Sequence, residues 1–217
     1  PTGELNQARH NVVLGHGLAV QAIRASARKG TKVGIAENIA ACVPAFATPE
    51  HIRATEMATR ELNAALLGVT LEGKYTDGYL EYSGKDAPKF TPEELKIIGS
   101  KTDFVGLNIY APQFYIAASD KKPGWDVLPF PSSFPHMNSE WLRIGPEVIY
   151  WTPKIAAKIW NIDSIYISEN GTSSEDKLRD NGKVFDLDRI SFLRNYLLQL
   201  QRATSEGVPV KGYFLWS

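Results

Sequence analysis

Apolar positions in the first third of the chain recur at helical spacing. Over residues 5 to 28 they fall at Val13, Val20, Ile23 and Ala27, with Gly30 as a stop, which predicts an amphipathic helix. Lys32 to Ala40 reads as a short strand leaving the Lys29-Gly30-Thr31 turn. Thr48-Pro49-Glu50 supplies an N-cap and a proline at the first helical position, and the helical pattern then runs to about Leu67. Thr91-Pro92-Glu93-Glu94 caps a second, shorter helix. Asp103-Phe104-Val105-Gly106-Leu107-Asn108-Ile109-Tyr110 alternates as a strand. Phe104, Gly106, Asn108 and Tyr110 share one face of it, and Val105 and Leu107 turn toward the helices.

Residues 111 to 145 read as one long irregular segment rich in Pro, Phe and Trp, and loops of that length in a compact domain are usually functional. A helix is expected near Pro153 to Asn161 and another from about Leu187 to Glu206. The strand Ile165-Tyr166-Ile167-Ser168-Glu169-Asn170-Gly171 lies between them, and Val210 to Trp216 forms the last strand. Helices and strands therefore alternate, which predicts α/β architecture with parallel pairing and right-handed crossovers. Each strand ends in a polar or aromatic cluster (Asn38; Asn108 and Tyr110; Glu169 and Asn170; Trp216), so four clusters should gather on one rim.

The run ending at Glu169 is the most telling of these. A buried parallel strand that delivers a carboxylate at its C-terminal tip is how a barrel enzyme presents a reacting group. Asn170-Gly171 would also suit a hairpin, but residues 172 to 183 are polar and contain no alternating return strand. Asn170-Gly171-Thr172 fits the N-glycosylation pattern, which is short enough to arise by chance.

Composition narrows the function. The chain has 217 residues, 43% of them hydrophobic, enough for one substantial core. Its 24 basic and 24 acidic residues cancel, so no net field gathers nucleic acid or an anionic membrane, and a neutral or small polar partner fits better. Cys42 is the single cysteine, which excludes an internal disulfide and favours a cytoplasmic setting. His10, His16, His51 and His136 are scattered, so neither a metal nor another cofactor is expected. No apolar run approaches the roughly 20 residues that span a bilayer.

Together, Ile167-Ser168-Glu169-Asn170-Gly171, Asp103 to Tyr110 and Val210-Lys211-Gly212-Tyr213-Phe214-Leu215-Trp216-Ser217 resemble the last barrel strands of family 1 glycoside hydrolases, the β-glucosidase family. His10-Asn11, Val33-Gly34-Ile35 with Asn38, and Asp188-Arg189-Ile190 agree with it. The resemblance implies a (β/α)8 TIM barrel of which residues 1–217 cover about the last four β/α units. It implies Glu169 as catalytic nucleophile, Tyr110 as the hydroxyl that orients it, Asn108 and Asn38 as substrate-binding amides, and Trp216 as the floor for the sugar ring. Retaining hydrolysis needs a second carboxylate about 5 to 5.5 Å from the first. The family carries it in an Asn-Glu-Pro segment, and no Asn-Glu-Pro occurs here.

The expectation is therefore a fragment of a longer retaining β-glucosidase, inactive alone, which needs the N-terminal barrel half and acts on a β-glucoside or short β-linked oligosaccharide. Because an upstream segment is expected, the lack of a signal peptide at Pro1 carries no weight. The alternatives are a non-catalytic carbohydrate-binding half-barrel and a 6-phospho-β-glucosidase of the same family, the latter needing a basic clamp beyond the last strand. Two internal carboxylates compete weakly for the acid role. Alternation turns Glu37 away from the face of Asn38, and Glu147 suits a helix N-terminus. Where many family members have Gly-Trp-Glu, this chain has Gly145-Pro146-Glu147, so an aromatic wall for the leaving group would have to come from Trp125, Trp141 or Trp151.

Overall fold

The computed structural model describes residues 2–216, so Pro1 and Ser217, the last residue of the final family-like segment, lie outside the described residues. In chain order the elements are α1 (Thr2–Ser26), β1 (Gly34–Asn38), β2 (Cys42–Pro44), α2 (Pro49–Leu62), a π-helical turn (Ala64–Gly68), α3 (Val69–Glu72), α4 (Asp77–Ser83) and a 3-10 turn (Gly84–Asp86). There follow α5 (Pro92–Ile98), β3 (Phe104–Asn108), β4 (Phe114–Ala118), β5 (Trp125–Leu128), α6 (Val148–Trp160), β6 (Ile165–Asn170), α7 (Leu187–Ser205) and β7 (Val210–Leu215). Four parallel strands form the main sheet in the order β1-β3-β6-β7, as the alternation of elements predicts.

The helix-facing side of this sheet is the core. Ile35, Val105, Leu107, Ile165 and Ile167 pack against Val148, Ile149 and Ala156 of α6 and Phe192, Tyr196 and Leu200 of α7. Each such aliphatic side chain, fully buried, contributes about 1.5–3 kcal/mol. The opposite face is the concave one, and there two large side chains on the inner strands are flanked by glycines on the outer ones. Gly34 and Gly212 flank Phe104 and Tyr166, whose rings meet edge to face at 5.3 Å. A Cβ at Gly34 would come within 2.5 Å of the Phe104 ring, and one at Gly212 within 2.7 Å of the Tyr166 ring.

Three features depart from the sequence expectation. Residues 111 to 145 are not one irregular segment, because β4 and β5 form an antiparallel hairpin and β4 pairs in parallel with β2, making a second sheet of order β2-β4-β5. Its buried side, with Cys42 and Ile116, covers Ala54 and Ala58 of α2. The helix expected from Pro153 begins five residues earlier. Val148 and Ile149 donate to the carbonyls of Gly145 and Pro146 and open the helix, so Pro153 sits inside it and only the rung to the Ile149 carbonyl is lost.

The third departure is at α2. Thr48 has the extended backbone of an N-cap, yet its hydroxyl pairs with His51 Nδ1 at 3.0 Å instead of capping. At its other end the helix widens into the π turn, where Gly68 N–H reaches back to the Asn63 carbonyl at 2.9 Å. The Asn63 side chain clamps Ala40, accepting from its N–H at 2.7 Å and donating to its carbonyl at 3.2 Å, two residues past Asn38. The cap expected at Thr91 is present as a full capping box with Glu94.

Candidate active site

All four strand tips open onto one cavity of about 660 Å³. Asn38, Asn108, Tyr110, Glu169 and Trp216, the five site residues expected from sequence, all line it. Strict alternation would have put Glu169 on the side of Ile165 and Ile167, which are fully buried toward the helices. A β-bulge prevents this. Leu107 pairs with Ile167 but Asn108 pairs with Glu169, so Ser168 is the extra residue, and beyond it Glu169 turns into the concavity. Asn170 is consequently the residue that faces inward to the protein, fully buried.

That buried amide fixes the rim. Asn170 Nδ2 donates to the Ile109 carbonyl at 2.7 Å, and its Oδ1 accepts from the Tyr213 hydroxyl at 2.8 Å. Its main-chain carbonyl accepts from Trp216 N–H at 2.8 Å, and Ile109 N–H donates to the Glu169 carbonyl at 2.9 Å. Ser168 Oγ donates to Asn108 Oδ1 at 2.7 Å, using the bulge residue to orient one of the expected substrate amides. Next to Asn170, Gly171 has no room for a side chain, since a Cβ would lie 1.7 Å from the Trp216 carbonyl oxygen.

The Tyr110 hydroxyl donates to Glu169 Oε2 at 2.5 Å. Burial, and then the neighbouring Glu169 carboxylate, push the Tyr110 hydroxyl well above the ordinary phenol range, so it remains a donor at any working pH. Beneath it, the fully buried Tyr196 donates to the Tyr110 carbonyl at 3.0 Å and accepts from Gly145 N–H at 3.2 Å. A chain of hydrogen bonds thus runs from α7 to the Glu169 carboxylate.

Glu169 is the sole carboxylate in the cavity lining among the described residues. Burial raises the pKa of Glu37, but Glu37 does not line the cavity. Glu147 is engaged by the Tyr115 hydroxyl at the start of α6. Of the three tryptophans considered for an aromatic wall, only Trp141 lines the cavity. Trp125 packs on the small sheet and Trp151 on the main core. Sequence reasoning missed Gln113, Arg143, Thr172 and Ser173, which also line it. No three His, Cys, Asp or Glu residues among the described ones gather so as to hold a metal ion. Burial pushes the Cys42 thiol up to about 12, leaving it inert.

Residues 1–217 match a family model described as glycosyl hydrolase family 1. The chain belongs to that family. A 1,4-beta-D-glucan glucohydrolase of Thermotoga neapolitana is 34% identical over 209 residues, 96% of this chain and 48% of the relative. Beta-glucosidase A of Thermotoga maritima is 34% identical over 212 residues, 97% of this chain and 47% of the relative. Among solved structures, a family 1 β-glucosidase from Thermotoga maritima superposes with a TM-score of 0.79 at 30% identity, over 100% of this chain and 48% of that one. The beta-glucosidase from that organism in complex with deoxynojirimycin gives 0.81 at 30% identity. This family 1 chain therefore spans about half the length of the curated relatives it matches, and its four β/α units are part of a TIM barrel. No helix among the described residues is long and apolar enough to cross a membrane.

Proposed function

We propose that residues 1–217 are the nucleophile-bearing half of a single (β/α)8 barrel, the catalytic domain of a retaining β-glucosidase that removes terminal β-D-glucosyl residues. Glu169 attacks the anomeric carbon and forms a covalent glycosyl-enzyme, which water then hydrolyses. Tyr110 holds the attacking carboxylate, Trp216 forms the floor under the apolar face of the glucosyl ring, and Asn108 and Asn38 bind its hydroxyls. The proton donor comes from the other half of the barrel. The observation that carries this reading is the bulge that turns Glu169 into the cavity onto the Tyr110 hydroxyl.

The test uses the enzyme in its full coding length. A 2-fluoro glucoside forms the covalent intermediate and hydrolyses it slowly, so peptide mapping should find the label on Glu169. Label on another residue, or active enzyme without label, would refute the assignment. The 217-residue chain alone lacks the proton donor, typically worth on the order of 10²- to 10⁴-fold, and should not turn over a nitrophenyl glucoside at a useful rate.

The single carboxylate in the lining also suits a second reading, a half-barrel that binds sugars without hydrolysing them. That reading predicts binding without turnover even when the other barrel half is supplied. Hydrolysis restored on mixing the halves would eliminate it.

A further inference from the structure

Arg143 is the one cation lining the Glu169 cavity among the described residues, and the hydrolysis proposed above does not use it. Its guanidinium carbon lies 4.0 Å from the Phe130 ring centroid. Phe130 is in turn held edge-on by Tyr115 at 5.5 Å and Phe134 at 4.9 Å. One face of the guanidinium is thus laid on an aromatic shelf, which fixes it without engaging its N–H donors. Arg24, Arg60, Arg189 and Arg202 each hold a carboxylate. Arg143, like Arg9, Arg28, Arg53, Arg179 and Arg194, holds none among the described residues, and of these it alone lines the cavity of Glu169.

The backbone that carries it is built, not trailing. Met137 N–H donates to the Leu142 carbonyl at 2.7 Å and Ile144 N–H to the Pro135 carbonyl at 2.9 Å, with His136 and Arg143 bridged as an antiparallel pair. Ser139 N–H is tied to Ser173 Oγ at 2.9 Å, and Met137 is buried in the core. Trp141 in the turn of this ladder and Arg143 on its returning arm both line the cavity. The Trp141 indole is 74% exposed, which puts it at the mouth.

We propose that Trp141 and Arg143 form a subsite for a planar leaving group bearing a carboxylate, the indole covering its flat face and the guanidinium pairing with its anion. This rests on the β-glucosidase reading for one point. With the glucosyl ring on Trp216, the departing portion is what meets the indole at the mouth. The chemistry of the anion follows from the donor set. A guanidinium offers donors only, in a fork that matches two carboxylate oxygens, whereas a neutral hydroxyl would leave its charge uncompensated. Glu169 disfavours any second anion in the same cavity, and the Arg143 charge in the lining offsets that repulsion.

The experiment measures binding by calorimetry to the enzyme in its full coding length. The probes are 4-carboxyphenyl 1-thio-β-D-glucoside and its neutral 4-carbamoylphenyl counterpart, whose sulfur bridge resists hydrolysis. The carboxylate should bind about ten-fold more tightly than the amide. That preference should shrink as salt is raised, vanish in Arg143→Gln and survive in part in Arg143→Lys. Equal affinities in the unsubstituted enzyme, or a preference that persists in Arg143→Gln, would overturn the proposal. The salt series on the unsubstituted enzyme decides the matter if the variant does not fold. Failure to turn over 4-nitrophenyl β-D-glucoside would sink the β-glucosidase reading and leave these binding readouts standing.

Discussion

The Tyr110 hydroxyl and Glu169 Oε2 meet at 2.5 Å between adjacent strands, where the bulge at Ser168 lets Glu169 share the cavity with Tyr110. Removing the hydroxyl in Tyr110→Phe leaves one carboxylate oxygen unheld in the attacking position. In the full-length enzyme kcat should fall on the order of 10²-fold, the usual penalty for a misplaced reacting group. Labelling by the 2-fluoro glucoside should slow in proportion. Unchanged labelling kinetics would show that the tyrosine does not orient the nucleophile.

Tyr196 acts one layer deeper. Tyr196→Phe strips a donor from the Tyr110 carbonyl and an acceptor from Gly145 N–H in a fully buried place, which costs about 1–3 kcal/mol. Thermal unfolding should report a Tm fall of roughly 2–4 °C per kcal/mol. Because the loss also loosens Tyr110, kcat should drop more than KM rises. A Tm change with kinetics untouched would confine Tyr196 to stability.

Gly171→Ala forces a methyl against the Trp216 carbonyl, with backbone as the obstacle and no flexible side chain to yield. Overpacking of this kind costs about 1–3 kcal/mol. Since the end of β7 must shift to make room, glucoside binding should weaken along with stability. Binding measured by titration of the variant checks this, and full-strength binding would mean that Trp216 is not a floor.

A pH effect is expected at the base of α6 and α7. Lys154, then the Tyr150 hydroxyl and Arg202, hold the Glu206 carboxyl down to about 2, below its ordinary 4.5. A lowered carboxylate pKa stabilises the fold fully above about pH 4.5, and that contribution fades as the pH drops toward 2. The pairs are partly exposed, so salt should weaken them. Melting curves of the chain and of Glu206→Gln should therefore differ above pH 4.5 and converge near pH 2. Parallel curves across that window would contradict the assignment.

Most of the main sheet was legible from periodicity. Val105, Leu107, Ile165 and Ile167 mark buried strands, and the helices that cover them repeat apolar positions at helical spacing. Its place at the tip of a buried strand, and not the alternation, singled out Glu169, because a bulge leaves no local mark in composition. The small sheet escaped notice for a different reason. Phe114 to Ala118 finds its partner, Cys42 to Pro44, about seventy positions away, and no short-range pattern announces a parallel pairing. Pro153 misled because proline favours a first turn. Here the helix started on Gly145 and Pro146 and tolerated the loss of one rung. Arg143 had no pattern to betray it, since an isolated arginine in a loop looks like any solvated surface charge.

Ser168 makes the position of the Glu169 carboxylate a matter of counting. Between Ile167 and Asn170, β6 spends three steps where β7 spends two between Tyr213 and Leu215, so Ser168 and Glu169 in succession face the cavity side and Asn170 returns to the interior. Excising Ser168 alone would restore regular pairing with the acid still facing the cavity directly after Ile167, and would cost the hydroxyl that holds Asn108 Oδ1.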